Sequence, residues 1–407
     1  MTAPKLNDDF KTNIAANGLL GVAVSGGGDS MALLHMLLQA GASVSVASVN
    51  HNLRPEAADE TRAVADFCAA CGVPHEVLQW HWDGQGNLQD QARRGRYAVL
   101  VGWAKRVAVN GVALGHTADD NIETFMMELS RGAGLDGLSG MRPEFVRDGV
   151  TFYRPLLNAR RDALRDMLRD VGINWSDDPS NDDPSYQRIQ VRQNMDALSA
   201  VGITTEQVLK SLGNLQSTRR DVNADLVAAL KGHFAYDRGD LCFDLTWLEN
   251  LSSESQRRIV SSALQFVSGQ EYAPRGSKLM RLLADLRQKS TLHGCVISVW
   301  GDQLRIGREL SAVSQLSTPS NELWDNRWQA TGKHGKTTEI RALGEVGLSQ
   351  CPNDWRETEM PRTSVLASPS VWEEAVLIAA PLAGYTNNWS ITLRERGFEY
   401  PEFILSH

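Results

Sequence analysis

The sequence predicts an α/β protein: a doubly wound parallel sheet, followed by a small α+β domain and a small β-rich C-terminal domain. Three observations carry this reading. Short apolar runs at 19–24, 44–49, 75–80 and 112–114 alternate with helical patterns at 31–38, 57–71 and 88–108, the β-α-β-α-β-α-β rhythm of a parallel sheet. The first run is continuously apolar and the second is apolar apart from two small serines, as expected of strands buried on both faces. From about residue 204 the rhythm changes. Helical patterns at 206–230, 254–266 and 278–288 are joined by short strands around 241–245, 296–300 and 304–307. Past 321 come scattered Gly and Pro with Trp324, Trp328, Trp355 and Trp372, read as core rather than as base-stacking platforms. A chain of 407 residues is too long for one core, so domains are expected at 1–200, 204–310 and 321–407, with the Ser/Thr/Pro-rich stretch 311–320 as linker.

The first strand runs into Gly21-Val-Ala-Val-Ser25-Gly26-Gly27-Gly28-Asp29-Ser30, and an apolar helix follows. Three glycines allow a sharp turn that brings backbone N–H groups close to an anion, and the helix N-terminus adds its positive dipole. Such a loop suits phosphate or pyrophosphate. A strand-to-helix turn capped by Ser30 would use the same residues without a ligand. Neither GxxxxGK[ST] nor GxGxxG is present.

The second strand ends in Asn50-His51-Asn52-Leu53-Arg54, polar groups at the edge where a parallel sheet meets its ligand. The fourth leads into Gly115-His116-Thr117-Ala118-Asp119-Asp120-Asn121-Ile122-Glu123-Thr124. Here Ile122, Phe125, Met126 and Leu129 form one helix face, while Asp119, Asp120 and Glu123 gather at the N-terminal end. Acids there can cap the helix and complement its dipole. Because both glycine-led stretches end at the same sheet edge, they can also converge with Asp29 on a magnesium–nucleotide site.

Composition narrows the rest. A formal charge of −8 argues against non-specific nucleic-acid binding, but local basic runs exist. Arg93, Arg94, Arg96, Lys105 and Arg106 have no acid between them; Arg257, Arg258, Arg275, Lys278, Arg281, Arg287 and Lys289 face only Glu271 and Asp285. The pattern at 159–171 reads as an amphipathic helix with Arg160, Arg161, Arg165 and Arg169 on a solvated face. Gly132, Gly134, Gly137 and Gly140 make a mobile or tightly turned connector. The N-terminus has no apolar leader, and the run 375–382 is short and broken by Pro381, so neither secretion nor a membrane span is expected. Five cysteines make no disulfide framework, which places the chain in a reducing cytoplasm. Cys68 and Cys71, at i and i+3 of a helix, are read as packing.

The string SGGGDS resembles the SGGxDS loop of N-type ATP pyrophosphatases. Val49-Asn-His-Asn-Leu-Arg54, the Gly115–Thr124 stretch, Arg154-Pro-Leu-Leu157 and Trp175-Ser-Asp-Asp-Pro-Ser-Asn181, followed by Tyr186, Arg188 and Arg192, extend the likeness over residues 18–195 in one order. Together they resemble the tRNA(Ile)-lysidine synthase family. The resemblance implies ATP and Mg2+ as cofactors, L-lysine and the CAU-anticodon tRNA(Ile) as partners, and adenylation of a wobble cytidine followed by attack of lysine. It assigns Ser25, Gly26, Gly27, Gly28, Asp29, Ser30 and His51 to ATP, and Asp29 and Asp120 to magnesium. Catalysis falls to Asp29, His116, Asp120 and Arg192; substrate or adenylate contacts to Asp119, Glu123 and Arg188; tRNA contacts to Arg275, Lys278 and Arg281. Asn50, Asn121-Ile122 and Ile189 depart from the family's usual Asp, Gln-Ala and Asn. Two alternatives stay open, a tRNA thiolase sharing the loop and a non-catalytic nucleotide-binding module. No oligomeric state follows from these motifs.

Overall fold

The computed structural model describes residues 4–8, 10–11, 18–51, 57–82, 84–176, 187–270, 272–352, 354–394 and 399–406. The segments 52–54 and 177–186, with the DPSN string and Tyr186, lie outside them. The chain divides into two compact units, Met1–Arg220 and Asp221–His407.

The first unit is built on strands β1 (Leu20–Ala23), β2 (Val44–Asn50), β3 (His75–Gln79), β4 (Val112–Leu114), β5 (Glu144–Arg147) and β6 (Val150–Tyr153). Their order in the sheet is β3-β2-β1-β4-β6-β5. All neighbours run parallel except the β5–β6 hairpin. The chain winds outward from β1 through β2 to β3, then returns to β4 on the other side. The C-terminal ends of β1 and β4 therefore flank the point where strand order reverses, the natural ligand crevice of such a sheet.

Helices cover both faces, which is why the central strands β1 and β4 are apolar throughout. On one side α1 (Gly28–Gln39) buries Leu33, Leu34 and Leu37 with Val64 and Cys68 of α2 (Ala57–Ala70) and, further along the chain, Leu164 and Leu168 of Arg161–Asp170. On the other, α3 (Leu88–Val107) buries Tyr97, Leu100, Val101 and Trp103. Each such side chain contributes roughly 1.5–3 kcal/mol when fully buried. The remaining helices of this unit are α4 (Ala118–Ser130), α5 (Arg161–Asp170), α6 (Gln187–Ala200) and the first part of α7 (Thr205–Leu230). Val208 and Leu212 of α7 pack against Ile122 of α4.

The glycine-rich connector is pinned. Leu135–Leu138 forms one helical turn, the Met141 N–H donates to Asn121 Oδ1 at 2.7 Å, and Gln216 Nε2 donates to the Ser139 carbonyl at 3.0 Å. Asn121 is buried and holds this turn, a structural use for one departure from the family pattern.

The second unit starts with a five-stranded antiparallel sheet, Phe234–Asp237, Asp240–Asp244, Gln303–Arg308, Cys295–Trp300 and Ser290–Leu292 in spatial order. Helices Ser253–Ser268, Gly276–Leu283 and Tyr400–Ser406 share its core. The expected helix 278–288 stops at Leu283, and Asp285 Oδ1 then accepts from the Arg287 and Gln288 N–H groups in a turn. A second core holds Trp324, Trp328, Trp389 and Ile340, and Trp372 lies in a third with Trp355 against it. The stretch 311–320 is not a linker. Val313 is fully buried in a short helix, and Ser317–Pro319 pairs antiparallel with Thr338–Ala342, so its apolar positions outweigh its Ser/Pro content.

Candidate active site

The turn after β1 places Gly26 at φ 92°, left-handed backbone that favours glycine. The Ser30 hydroxyl donates to the Gly27 carbonyl at 2.9 Å and accepts from the Ser25 N–H at 3.2 Å, closing the loop on itself. Ser30 therefore serves the turn, while Ser25 is exposed. The first-turn amides of α1 have no intrahelical acceptors and carry the helix's positive end. Gly115, at the end of β4, lies against the same loop: a Cβ there would stand 3.0 Å from the Ser30 N and Cα. The two motifs are in contact, backbone to backbone.

From there the side chains are organised by arginine. Arg161 Nε meets Asp29 Oδ2 at 2.9 Å, its Nη2 meets Asp120 Oδ1 at 2.8 Å, and its Nη1 stands 3.5 Å from Glu123 Oε1. Arg160 binds Asp119 at 2.9 Å, and Arg192 donates twice to Glu123 Oε1, at 2.8 and 3.0 Å. Backbone contacts set this arrangement. The Ala118 N–H donates to the Ala159 carbonyl, and the Arg161 N–H to Asp119 Oδ2 at 2.7 Å, lacing the start of α5 to the start of α4. The reading of Arg160 and Arg161 as a solvated face is therefore corrected, since both are tied to acids of the site. Arg165 lies beside Gly28 and acts on Asp29, whereas Arg169 pairs with Asp166.

Asp120 has a second task. Its Oδ2 accepts from the Thr117 N–H at 2.7 Å and hydroxyl at 2.9 Å, completing a capping box at the head of α4. Glu123 is buried, and burial, with Asp120 nearby, raises its carboxyl above the usual range against the pull of Arg192 and Arg161. Burial likewise raises Asp29, the largest effect, while Arg161 opposes it. Burial works against the charge of Arg161, but Asp120 and Asp29 outweigh it and raise its guanidinium.

His116 follows Gly115 into an enclosed, cationic setting. Burial first, then Arg154, Arg96, Arg188 and Arg93, hold it well below the ordinary histidine value, so it is neutral at pH 7. Arg154 Nε donates to His116 Nδ1 at 3.3 Å, which leaves the ring proton on Nε2. His51, at the end of β2, is lowered by burial and by Arg96, and its Nδ1 is buried without a partner. Arg188 lies exposed on α6 near this group.

The described residues include no group of three or more His, Cys, Asp or Glu side chains arranged to hold a metal. Magnesium needs fewer protein ligands, because one or two carboxylates and substrate phosphates usually suffice. Asp29 Oδ1 fits that use: it is buried and has no hydrogen-bond partner. In the second unit Arg275, Lys278 and Arg281 are all exposed. Cys68 is buried, and burial pushes its thiol up to about 11; Cys71 is exposed just past the end of α2, so only the first of the pair packs. No described helix is long and apolar enough to cross a membrane.

A family profile described as a PP-loop domain matches residues 3–198. The tRNA(Ile)-lysidine synthase of Ruegeria pomeroyi is 44% identical over 395 residues, covering 95% of this chain and 94% of its own. That of Wolbachia pipientis wMel is 30% identical, with 91% and 90% covered, and that of Zymomonas mobilis 35% identical, with 72% and 89% covered. With the glycine loop, the acid-headed helix and near full-length identity to such enzymes, this chain belongs to the tRNA(Ile)-lysidine synthase family.

Proposed function

We propose that this chain catalyses the reaction for which its family is named, the ATP-dependent joining of L-lysine to C2 of the wobble cytidine in the CAU-anticodon isoleucine tRNA. The cytidine C2 oxygen attacks the α-phosphorus of ATP and pyrophosphate leaves. The lysine ε-nitrogen then attacks C2, and the C2–O bond breaks to release AMP. One observation supports this most directly: the glycine loop and a partly buried carboxylate cluster share one sheet edge, held together by Arg161. The loop amides suit the phosphates. The acids suit a lysine ammonium, which must lose one proton to become a nucleophile and a second after attacking C2, and Glu123, with its raised carboxyl, is the group best suited to take one. Neutral His116 would donate from Nε2 toward developing negative charge, while Arg192 and Arg188 steady phosphate oxygens. Magnesium, held by Asp29 and Asp120, would neutralise the phosphates as pyrophosphate departs.

In this reading residues 1–200 carry the chemistry, and 204–310 and 321–407 hold the tRNA, with Arg275, Lys278 and Arg281 on its phosphates. The protein would act in the cytoplasm. The test is incorporation of radiolabelled lysine into CAU-anticodon tRNA(Ile), with ATP consumed mole for mole. Incorporation that needs no ATP, or ATP cleavage with no lysine transferred, would sink the proposal.

A further inference from the structure

A second group of arginines stands beside the acid cluster without acids of its own. Arg93 and Arg96 lie in the first half of α3, which starts at the same sheet edge as the glycine loop. Their neighbour Arg94 turns outward to Asp90 at 3.0 Å, but Arg93 and Arg96 turn inward over the buried Tyr97 ring, 5.5 and 5.2 Å from its centroid. Their Nε atoms are buried and have no hydrogen-bond partner. Arg154 closes another side, with its guanidinium 4.3 Å from the Phe145 centroid and its Nε on His116. The wall toward His51 is Trp80, whose indole presses so closely on α3 that a Cβ at Gly95 would fall 1.9 Å from its Nε1. A glycine inside a helix weakens it, and here it admits the indole beside the arginines.

Among the described residues, no carboxylate pairs with Arg93, Arg96 or Arg154. Arg93, Arg96 and Arg147 stand over the Tyr97 ring and Arg154 over the adjoining Phe145 ring, and in a chain of net charge −8 such a gathering of guanidiniums calls for an anion from outside. Planar guanidinium forks match phosphate oxygens, and Arg93 and Arg96 each keep an Nε donor without a partner, whereas Arg154 already donates from Nη1 to the Arg142 carbonyl at 2.8 Å. The glycine loop and the head of α1 already supply a place for the nucleotide's phosphates.

We propose that Arg93, Arg96 and Arg154 line a second phosphate subsite, which takes a phosphodiester of the RNA beside the reacting base. This rests on the RNA-modifying function proposed above. The effect of burial and of these arginines on Tyr97, whose hydroxyl burial raises but Arg96 and Arg93 lower on balance, is consistent with donors converging on one spot.

The experiment uses the full chain, an anticodon stem-loop RNA bearing CAU, and ATP with magnesium, each measured by equilibrium binding. Arg93→Gln with Arg96→Gln should weaken stem-loop binding about tenfold. It should also reduce the slope of log affinity against log salt by about 0.7 for each phosphate that the variant no longer neutralises. ATP binding should stay within twofold, and the paired Arg→Lys variant should keep the slope. A weakened ATP affinity with an unchanged RNA slope would assign the subsite to the nucleotide and overturn its assignment to RNA. No change in either, in a protein that keeps its circular dichroism, would overturn the subsite altogether. A wild-type measurement covers the case of misfolding: stem-loop RNA should shield Arg93 and Arg96 from phenylglyoxal while ATP does not, and absence of shielding counts against the proposal. Lysine incorporation by the wild type is measured in parallel. RNA binding with this slope but no lysine transfer would remove the proposed function and leave the subsite standing.

Discussion

Arg161 shows how a single side chain can be illegible in sequence and central in structure. Its partners Asp29, Asp120 and Glu123 are far from it along the chain, and four arginines spaced along one helix read equally well as a solvated face. The acids themselves were legible, because each follows a glycine-led turn at the end of a strand. Replacing Arg161 with Met should leave three carboxylates facing one another and destabilise the fold by about 2–3 kcal/mol in urea at pH 8, since removing one partner of a buried pair strands the other. Asp29 and Glu123, already raised in the folded protein, would then rise further above their unfolded values. The loss should be complete above the folded values and should shrink as the pH falls through them and the carboxyls protonate. A loss that grows on acidification would contradict the ion-pair account. Asp29→Asn should lower tRNA-dependent pyrophosphate release at least about a hundredfold with the fold intact, and near-normal release would remove Asp29 from the machinery. His116 has the opposite linkage. Its folded pKa is depressed, so below the unfolded value the unfolded chain holds a proton that the folded one lacks. Stability should rise with pH up to the unfolded value near 6.5, and His116→Gln should flatten the urea midpoint between pH 5 and 7.

At the scale of elements, the strands and helices of the first unit follow the apolar rhythm closely, because burial on both faces leaves little freedom in their composition. The β5–β6 hairpin went unread although its signal was there: Asp148 and Gly149 both adopt positive φ, 49° and 79°, the backbone that an Asp-Gly hairpin turn requires. Its flanking strands are four residues each, too short to stand out by periodicity. Gly115→Ala should test the contact between the two motifs. The added methyl would meet backbone that cannot rotate away, so the glycine loop must shift, and ATP affinity should fall more than stability does. Unchanged ATP binding would show that the loop yields freely. Asn121→Ala should cost about 1–3 kcal/mol by stranding the Met141 N–H, measured as a lowered urea midpoint.

For the whole molecule, the sequence located the change of character near residue 204, but the continuous helix α7 carries the compact division to Arg220. Hydrophobic periodicity marks where a helix is, and says nothing of which core each of its turns joins. A chain ending near 200 would remove Val208 and Leu212 from Ile122. A chain ending at Arg220 should therefore be the more stable of the two by thermal unfolding, and should bind ATP while losing tRNA affinity. Charge neutralisation at Arg275, Lys278 and Arg281 in the full chain should weaken tRNA binding and lower its salt slope by ~0.7 to 0.9 per phosphate released, whereas an unchanged slope would return these residues to a solvated helix.

Asp120 holds the head of α4 with one oxygen and joins the acid cluster with the other. A mutant library sorted only for folded protein would thus favour an acid more strongly at position 120 than at position 29, whose Oδ2 meets Arg161 but whose Oδ1 has no partner among the described residues. Sorting the same library for lysine transfer should restore Asp at 29 and change little at 120. The two positions would then look equally essential under functional selection and quite different under selection for folding, which separates the residue that builds the site from the one that the site was built to present.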